Sequence, residues 1–375
     1  MGGALSPGAL KPGALNVGVV GVGVISSQYF TEFAKLPNLH LAAVADLDTA
    51  RAEAVAAEQG TVAMTVDELL ADARIDAVLN LTIPAAHAEI GLRALASGKH
   101  LYGEKPLALT TAEARPMLDT AAAAGLRIGC APDTVLGTGI QTARAVLDVG
   151  RIVDPIGASV HWSNSGHEVW HPAPAFYFQP GGGPLYDMGP YYLTSLVTLF
   201  GPVVRVSGAV ARSSRERTIA TGPNAGAAVP VEVDTHVTAL LEHAGGVIST
   251  VTVSFEVWAT RSPLFEVYGT AGTIAVPDPN LFSGQVSVAT AADPEFAEVP
   301  VAAGYSDAGR GVGLADLARA LETGRPHRAS GELAFHVLDV MESIIRAGRE
   351  HAVIELTSTV ERPEPVALGS DPAVW

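Results

Sequence analysis

The 375-residue sequence has one cysteine, Cys130. That excludes a disulfide within the chain and any cysteine-built zinc module. Cys130 sits in the apolar stretch LRIGCAP, and is expected to serve as a small buried hydrophobe. There is no unbroken apolar run of about twenty residues, so no membrane-spanning helix is expected. The opening MGGALSPGALKPGAL has no charged start followed by an apolar run, as a secretion signal would. Residues 1–15 are read as a flexible tail of a cytoplasmic protein. Basic residues are outnumbered, 23 Lys and Arg against 39 Asp and Glu, and the net charge of −16 argues against nucleic acid or an anionic membrane as partner. Charge is scarce altogether: 17% charged against 48% hydrophobic excludes wholesale disorder and leaves material for a large core. No internal repeat is present.

What is there begins with alternation. Short apolar runs at 16–23, 41–45, 75–83, 100–106 and 126–132 are separated by alanine-rich helix formers such as TARAEAVAAEQG. Strand–helix–strand units with apolar strands predict a parallel sheet covered on both faces. After Pro132 the pattern changes. A helix over 138–150 leads into successive stretches rich in β-branched residues, among them VEVDTHVTALLEH and GVISTVTVSFEVW, with few helices between them. Those read as a large, mostly antiparallel open sheet. Two late helices are expected, at about 311–322 and 332–347. The expected class is α/β: an N-terminal parallel-sheet domain over 16–134, a C-terminal α/β domain over 135–356 and an extended arm over 357–375.

GVGVIS, residues 21–26, follows a predicted strand and opens a predicted helix. Gly21 permits a tight turn and Gly23 a close backbone approach to a pyrophosphate. Val24 and Ile25 carry the turn into the helix, whose free N–H groups face the phosphates. Asp46 ends the second strand about 20 residues after the turn, the spacing of the acid that accepts ribose hydroxyls. A carboxylate there repels a 2′-phosphate, which favours NAD over NADP, with Arg51 nearby as the moderating charge.

Lys105, in GEKPLALT, ends a predicted parallel strand, where ligands bind in such sheets. Further on, GGGPLYDMGPYYL (181–193) sets Asp187 and Tyr191 one helical turn apart on one face if Asp187 begins a helix, with Pro190 in its first turn. HEVWH (167–171) satisfies the zinc-protease pattern H-E-x-x-H. Pro172 disfavours the continuing helix that this mechanism needs, so no metal is expected. The stretch reads better as a loop over a substrate pocket, with His167, Glu168, Trp170, His171 and Tyr177 offering donors, an acceptor and flat apolar faces. His327 and His336 are expected to be structural. The sequon NLT at Asn80 falls in a predicted buried strand and is discounted.

The glycine turn, SGKH (97–100), EKPLAL (104–109), GGGPLYDMG and VYGTAGTIAVPDP together resemble the Gfo/Idh/MocA oxidoreductases, over about 16–356. EKP with GGG-x-x-x-D is a specific combination. The resemblance implies a Rossmann domain followed by a domain with a large open sheet, and hydride transfer between a nicotinamide cofactor and a hydroxyl of a sugar, polyol or glycoside. It places the family's lysine on Lys105 and its signature acid on Asp187. The position often held by histidine is Tyr191 here, a residue some members share. Thr82, His87 and Glu104 fall on the cofactor side, although TIPAAH (82–87) departs from the usual pattern in the placing of Pro84. Tyrosine, with an ordinary pKa of about 10, is a poor base near neutral pH, and a neighbouring ammonium favours its phenolate. Lys105 is therefore expected to assist Tyr191 or to bind the substrate oxygen itself, with Asp187 orienting Lys105 or a sugar hydroxyl. The sheet's exposed face implies a homodimer or homotetramer. Two alternatives stand beside this reading: a glycoside-cleaving enzyme with transient NAD redox, and a non-catalytic dinucleotide sensor.

Overall fold

A computed structural model describes residues 13–213 and 215–373. Most of the tail expected over 1–15, and the last two residues of the expected arm, lie outside the described residues.

The first compact unit is a parallel sheet of β1 (Leu15–Val20), β2 (Leu39–Ala45), β3 (Val62–Ala63), β4 (Ala77–Asn80), β5 (His100–Gly103) and β6 (Ile128–Cys130), in the order β3-β2-β1-β4-β5-β6. Helices α1 (Ser26–Phe33), α2 (Thr49–Gln59), α3 (Val66–Ala71), α4 (His87–Ala96) and α5 (Thr111–Ala124) run between them. Val17, Val19 and Val20 of β1 are all buried, as expected of a strand covered on both faces. A Cβ at Gly18 would stand 2.8 Å from Leu69 Cδ2, so α3 packs on β1 where a side chain is missing. β2 lies on one side of β1 and β4 on the other. The connection reverses direction there, the position at which open parallel sheets bind ligands beyond their carboxyl ends.

After β6 the chain forms α6 (Thr138–Asp148) and enters the second unit. Its main sheet comprises β7 (Pro155–Ser163), β8 (Val203–Ala211), β11 (His236–His243), β12 (Ile248–Ser254), β13 (Phe265–Gly269), β14 (Gly272–Ala275), β15 (Val286–Thr290), β16 (Ala297–Val299) and β17 (Ile354–Glu355). β9 (Arg217–Thr218) and β10 (Ala228–Val229) form a separate ribbon. The main-sheet order is β16-β15-β14-β13-β7-β12-β11-β8-β17. β7 and β12 pair in parallel and the other pairs are antiparallel, so the sheet is mixed but predominantly antiparallel. Alternation along β11 buries Val237, Ala239 and Leu241 and leaves Thr238 and Leu240 exposed. One face is thus covered, in part by helix α7 (Gly183–Phe200), and the other is open.

α7 differs from the expectation. It begins at Gly183 with Gly182 as N-cap, so Asp187 lies one turn inside it, and Pro184 rather than Pro190 occupies the first turn. The cause is close packing. A Cβ on Gly182 would stand 2.4 Å from the Phe176 carbonyl oxygen, and Gly183 has φ +87° beside the Asp234 carbonyl.

The units are also not contiguous. α8 (Val312–Thr323), followed by α9 (Gly331–Glu350), lies in a segment, Asp307–Phe335, that belongs with the parallel sheet, whereas 135–356 was expected as one domain. The reason is apolar. Leu314, Ala315 and Leu317 join the core built by Val17, Val19, Leu79 and Tyr102. Asp133 Oδ2 accepts the backbone N–H groups of Gly311 and Gly313, and buried Asp316 pairs with Arg328 at 2.5 Å.

Candidate functional site

The first group of residues surrounds the carboxyl end of β1. Gly21 has φ +92°, and a Cβ there would meet the Leu81 carbonyl at 2.8 Å, so both conformation and packing require glycine. A Cβ on Gly23 would meet nothing within 4 Å, which leaves its backbone open to a ligand. α1 begins at Ser26 with no side-chain cap; the Ser26 and Gln28 N–H groups donate to the Gly23 and Ile25 carbonyls at 3.2 and 3.1 Å. Val24, Leu47 and Ile83 follow the ends of β1, β2 and β4, and are 94%, 97% and 69% exposed. Three bare apolar side chains beside a glycine turn suit the flat rings of a dinucleotide. Periodicity does not reveal Leu47 or Ile83, which follow the strands as single residues.

Asp46 is half-buried. Its Oδ2 accepts the Val22 N–H at 2.8 Å, while Oδ1 accepts the Asp48 N–H and the Arg51 guanidinium at 2.9 and 2.8 Å. Burial pushes the carboxyl up, but Arg51 and the Val22 and Asp48 N–H groups outweigh this and hold it below its usual range. Thr82 Oγ1 donates to Asn80 Oδ1 at 2.6 Å. His87 is buried. Its Nδ1 lies 2.6 Å from the Pro106 carbonyl oxygen and its Nε2 3.1 Å from that of Thr82. Burial lowers its pKa, and the hydrogen bonds to the Pro106 and Thr82 carbonyls oppose that shift. Glu104 is buried too, accepting Tyr29 O–H at 2.8 Å and the Lys105 N–H at 3.1 Å. These contacts of His87 and Glu104 are internal to the unit, and they hold the loops that carry Thr82 and Lys105. Lys105 itself is half-buried at the end of β5. Tyr29 escapes sequence reasoning because only its position in α1, three residues after Ser26, hints at the contact.

The second group lies within the other unit. His167 Nε2 stands 2.8 Å from Asp187 Oδ2. The Trp170 indole donates to His167 Nδ1 at 3.2 Å, and Asn164 Nδ2 lies 3.3 Å from the same nitrogen. The ring packs against Tyr177 and Phe255, with centroids 4.3 and 4.6 Å apart. HEVWH makes one 3-10 turn, His167–Val169, rather than the α-helix that a zinc protease needs. Glu168 is committed to Arg217 and Arg215 at 2.9 and 3.1 Å. His171 Nδ1 accepts the Ala173 N–H. Arg217 also pairs with Glu256, lies under 2% exposed, and stacks on Phe178. Gly166 has φ +110°, and a Cβ there would collide with Arg217 and Glu168. Tyr191 lies one turn after Asp187 on α7 and is 4% exposed. Trp170 and Phe176 remain about half exposed, flanking His171. The structure thus joins His167, Trp170 and Tyr177 to Asp187 and places Tyr191 in the core of α7.

Two family models match the chain. One, described as an oxidoreductase family with an NAD-binding Rossmann fold, covers residues 15–131; the other, the GFO/IDH/MocA C-terminal domain, covers 140–275. A dTDP-3,4-didehydro-2,6-dideoxy-alpha-D-glucose 3-reductase of Streptomyces violaceoruber is 32% identical over 52% of this chain and 56% of its own length. A trans-1,2-dihydrobenzene-1,2-diol dehydrogenase of Bos taurus is 28% identical over 68% of this chain and 72% of its own. The chain spans 37% to 56% of the length of the curated relatives it matches at 30–32% identity. In fold, it is similar to an NAD binding oxidoreductase from Klebsiella pneumoniae, with TM-score 0.80 and 22% identity over 92% of this chain and 99% of that one. No helix among the described residues is long and apolar enough to cross a membrane.

Proposed function

Because this chain belongs to the GFO/IDH/MocA oxidoreductase family, we propose that it is an NAD-dependent dehydrogenase or reductase acting on a secondary hydroxyl of a sugar, polyol or glycoside. The observation that carries this reading is the Asp46 carboxylate bonded to the Val22 N–H of a glycine turn whose Gly23 faces open space. A bound nicotinamide supplies the hydride acceptor or donor, and the chain supplies binding, orientation and proton transfer. Gly21, Gly23, Val24, Ile25 and the start of α1 hold the pyrophosphate. Asp46 accepts the ribose hydroxyls. Lys105 polarises the substrate oxygen or takes its proton, and Asp187 orients a neighbouring hydroxyl. The aromatic surface of Trp170, Phe176 and Tyr177 suits the C–H faces of a sugar ring.

Asp46 also determines cofactor choice in this reading. Its carboxylate repels a 2′-phosphate, while Arg51 lies ready to bind one once the acid is gone. Asp46→Ser is expected to weaken NAD use by about tenfold, the scale of one lost charge-assisted hydrogen bond, and to raise the relative use of NADP. An unchanged ratio of kcat/KM between the two cofactors would remove Asp46 from this role. Its lowered pKa gives the sign of the pH effect. The anion persists below the ordinary carboxylate value of about 3.9, whereas the stability it adds is full above that value and is lost as pH falls from it through the lowered one. NAD affinity is therefore expected to hold steady from neutral pH to about pH 4.

A panel of sugars, cyclitols and glycosides tests the whole reading, each incubated with NAD or NADP and followed for reduced cofactor and released aglycone. Reduced cofactor with at least one hydroxyl compound is expected. Aglycone release without net reduction would replace the reading with transient redox, and cofactor binding with neither product would leave a sensor.

A further inference from the structure

His167 stands out because so much of its loop serves to place one ring. Both ring nitrogens are engaged, by Asp187 on one side and Trp170 on the other. Tyr177 and Phe255 enclose its faces. The next residue, Glu168, is buried in an ion pair with a fully buried arginine, and the preceding one must be glycine. The Trp170 indole N–H can only donate, so His167 Nδ1 must be an unprotonated acceptor. The proton of the neutral ring then sits on Nε2 and is donated to Asp187 Oδ2. This assignment follows from hydrogen-bond chemistry alone.

We infer that His167 is a positioning residue: held as the Nε2–H tautomer by Trp170, it orients the Asp187 carboxylate for the hydroxyl chemistry, rather than contacting substrate. The inference rests on the oxidoreductase reading above for its kinetic consequence, but not for its tautomer. One carboxylate oxygen is pinned by the imidazole, and the direction of the other is set with it. Trp170 acts at one remove, since its indole selects the nitrogen that carries the proton.

The test separates positioning from binding. His167→Phe keeps an aromatic ring in the enclosure and removes both hydrogen bonds. His167→Gln places an amide N–H at about the reach of Nε2 and restores donation to Asp187. In the Phe variant kcat is expected to fall about 100-fold with KM within about threefold, the scale of a misplaced group near the reacting centre. The Gln variant is expected to recover to within about tenfold of wild type. A raised KM with unchanged kcat would overturn the inference in favour of direct substrate binding, as would a Gln variant no better than Phe. The nitrogen chemical shifts of His167 in the wild-type protein supply a readout independent of turnover. A protonated Nε2 and a bare Nδ1 are expected, with the Nδ1 signal moving in Trp170→Phe. A proton on Nδ1 in the wild type would overturn the assignment. If the wild type turns over no hydroxyl compound with either cofactor, the oxidoreductase reading and the kinetic role fall together, while the shifts still decide the tautomer.

Discussion

Lys105→Met is expected to reduce turnover by about a thousandfold, in the range lost with an essential proton-transferring group, while cofactor affinity stays within a few-fold. The substitution keeps most of the aliphatic stem and removes only the ammonium. Buried Glu104 fixes the Lys105 backbone N–H, and Tyr29 of α1 fixes Glu104 in turn. The cofactor turn is held by contacts of its own, Gly21 packed on Leu81 and Val22 bonded to Asp46. Steady-state kinetics on the best substrate of the panel, with a binding titration of the reduced cofactor, distinguish the two effects. Retained turnover would sink the catalytic assignment of Lys105. A parallel loss of cofactor affinity would assign the lysine to binding instead.

Arg217→Met should destabilise the second unit by about 3–5 kcal/mol, the usual loss when one partner of a buried ion pair is removed. Arg217 is the largest fully buried side chain of the described residues and bridges Glu168 and Glu256. Methionine fills much of the space but leaves Glu168 with Arg215 alone, at 3.1 Å and half-buried. That remaining partner places the expected loss toward the lower end. The double variant Arg217→Met with Glu168→Gln removes the stranded charge and should recover part of the loss. Denaturant midpoints measure both effects. A change below about 1 kcal/mol would show that Arg215 compensates fully, since exposed pairs rarely exceed that value.

The Rossmann half was legible because its signals are local. A strand, two glycines, a helix and an acid about 20 residues on report one crevice within one stretch of chain. Cys130 likewise followed from its apolar surroundings. What escaped was set by packing between distant segments. The apolar stripe of α8 marks a buried helix without saying whose core it completes, and Leu314 and Leu317 pack with β-strand residues nearly 300 positions earlier. The sequence leaves open whether the helix begins at Asp187. The backbone enters helix at Gly183, since Gly182 and Gly183 pass hard against carbonyls that the sequence does not display. The His167–Asp187 contact spans 20 positions without periodicity, and nothing in RSSRERT marks Arg217 as the arginine that goes inside.

The ring of His87 has a mechanical consequence. It touches the backbone of Thr82 on one side and of Pro106 on the other, so the loops after β4 and β5 are geared through one imidazole. Lys105 lies in the second of those loops and Ile83 in the first. In the proposed reading Lys105 handles the proton and Ile83 walls the cofactor, so a movement of one loop is expected to reach the other through this ring.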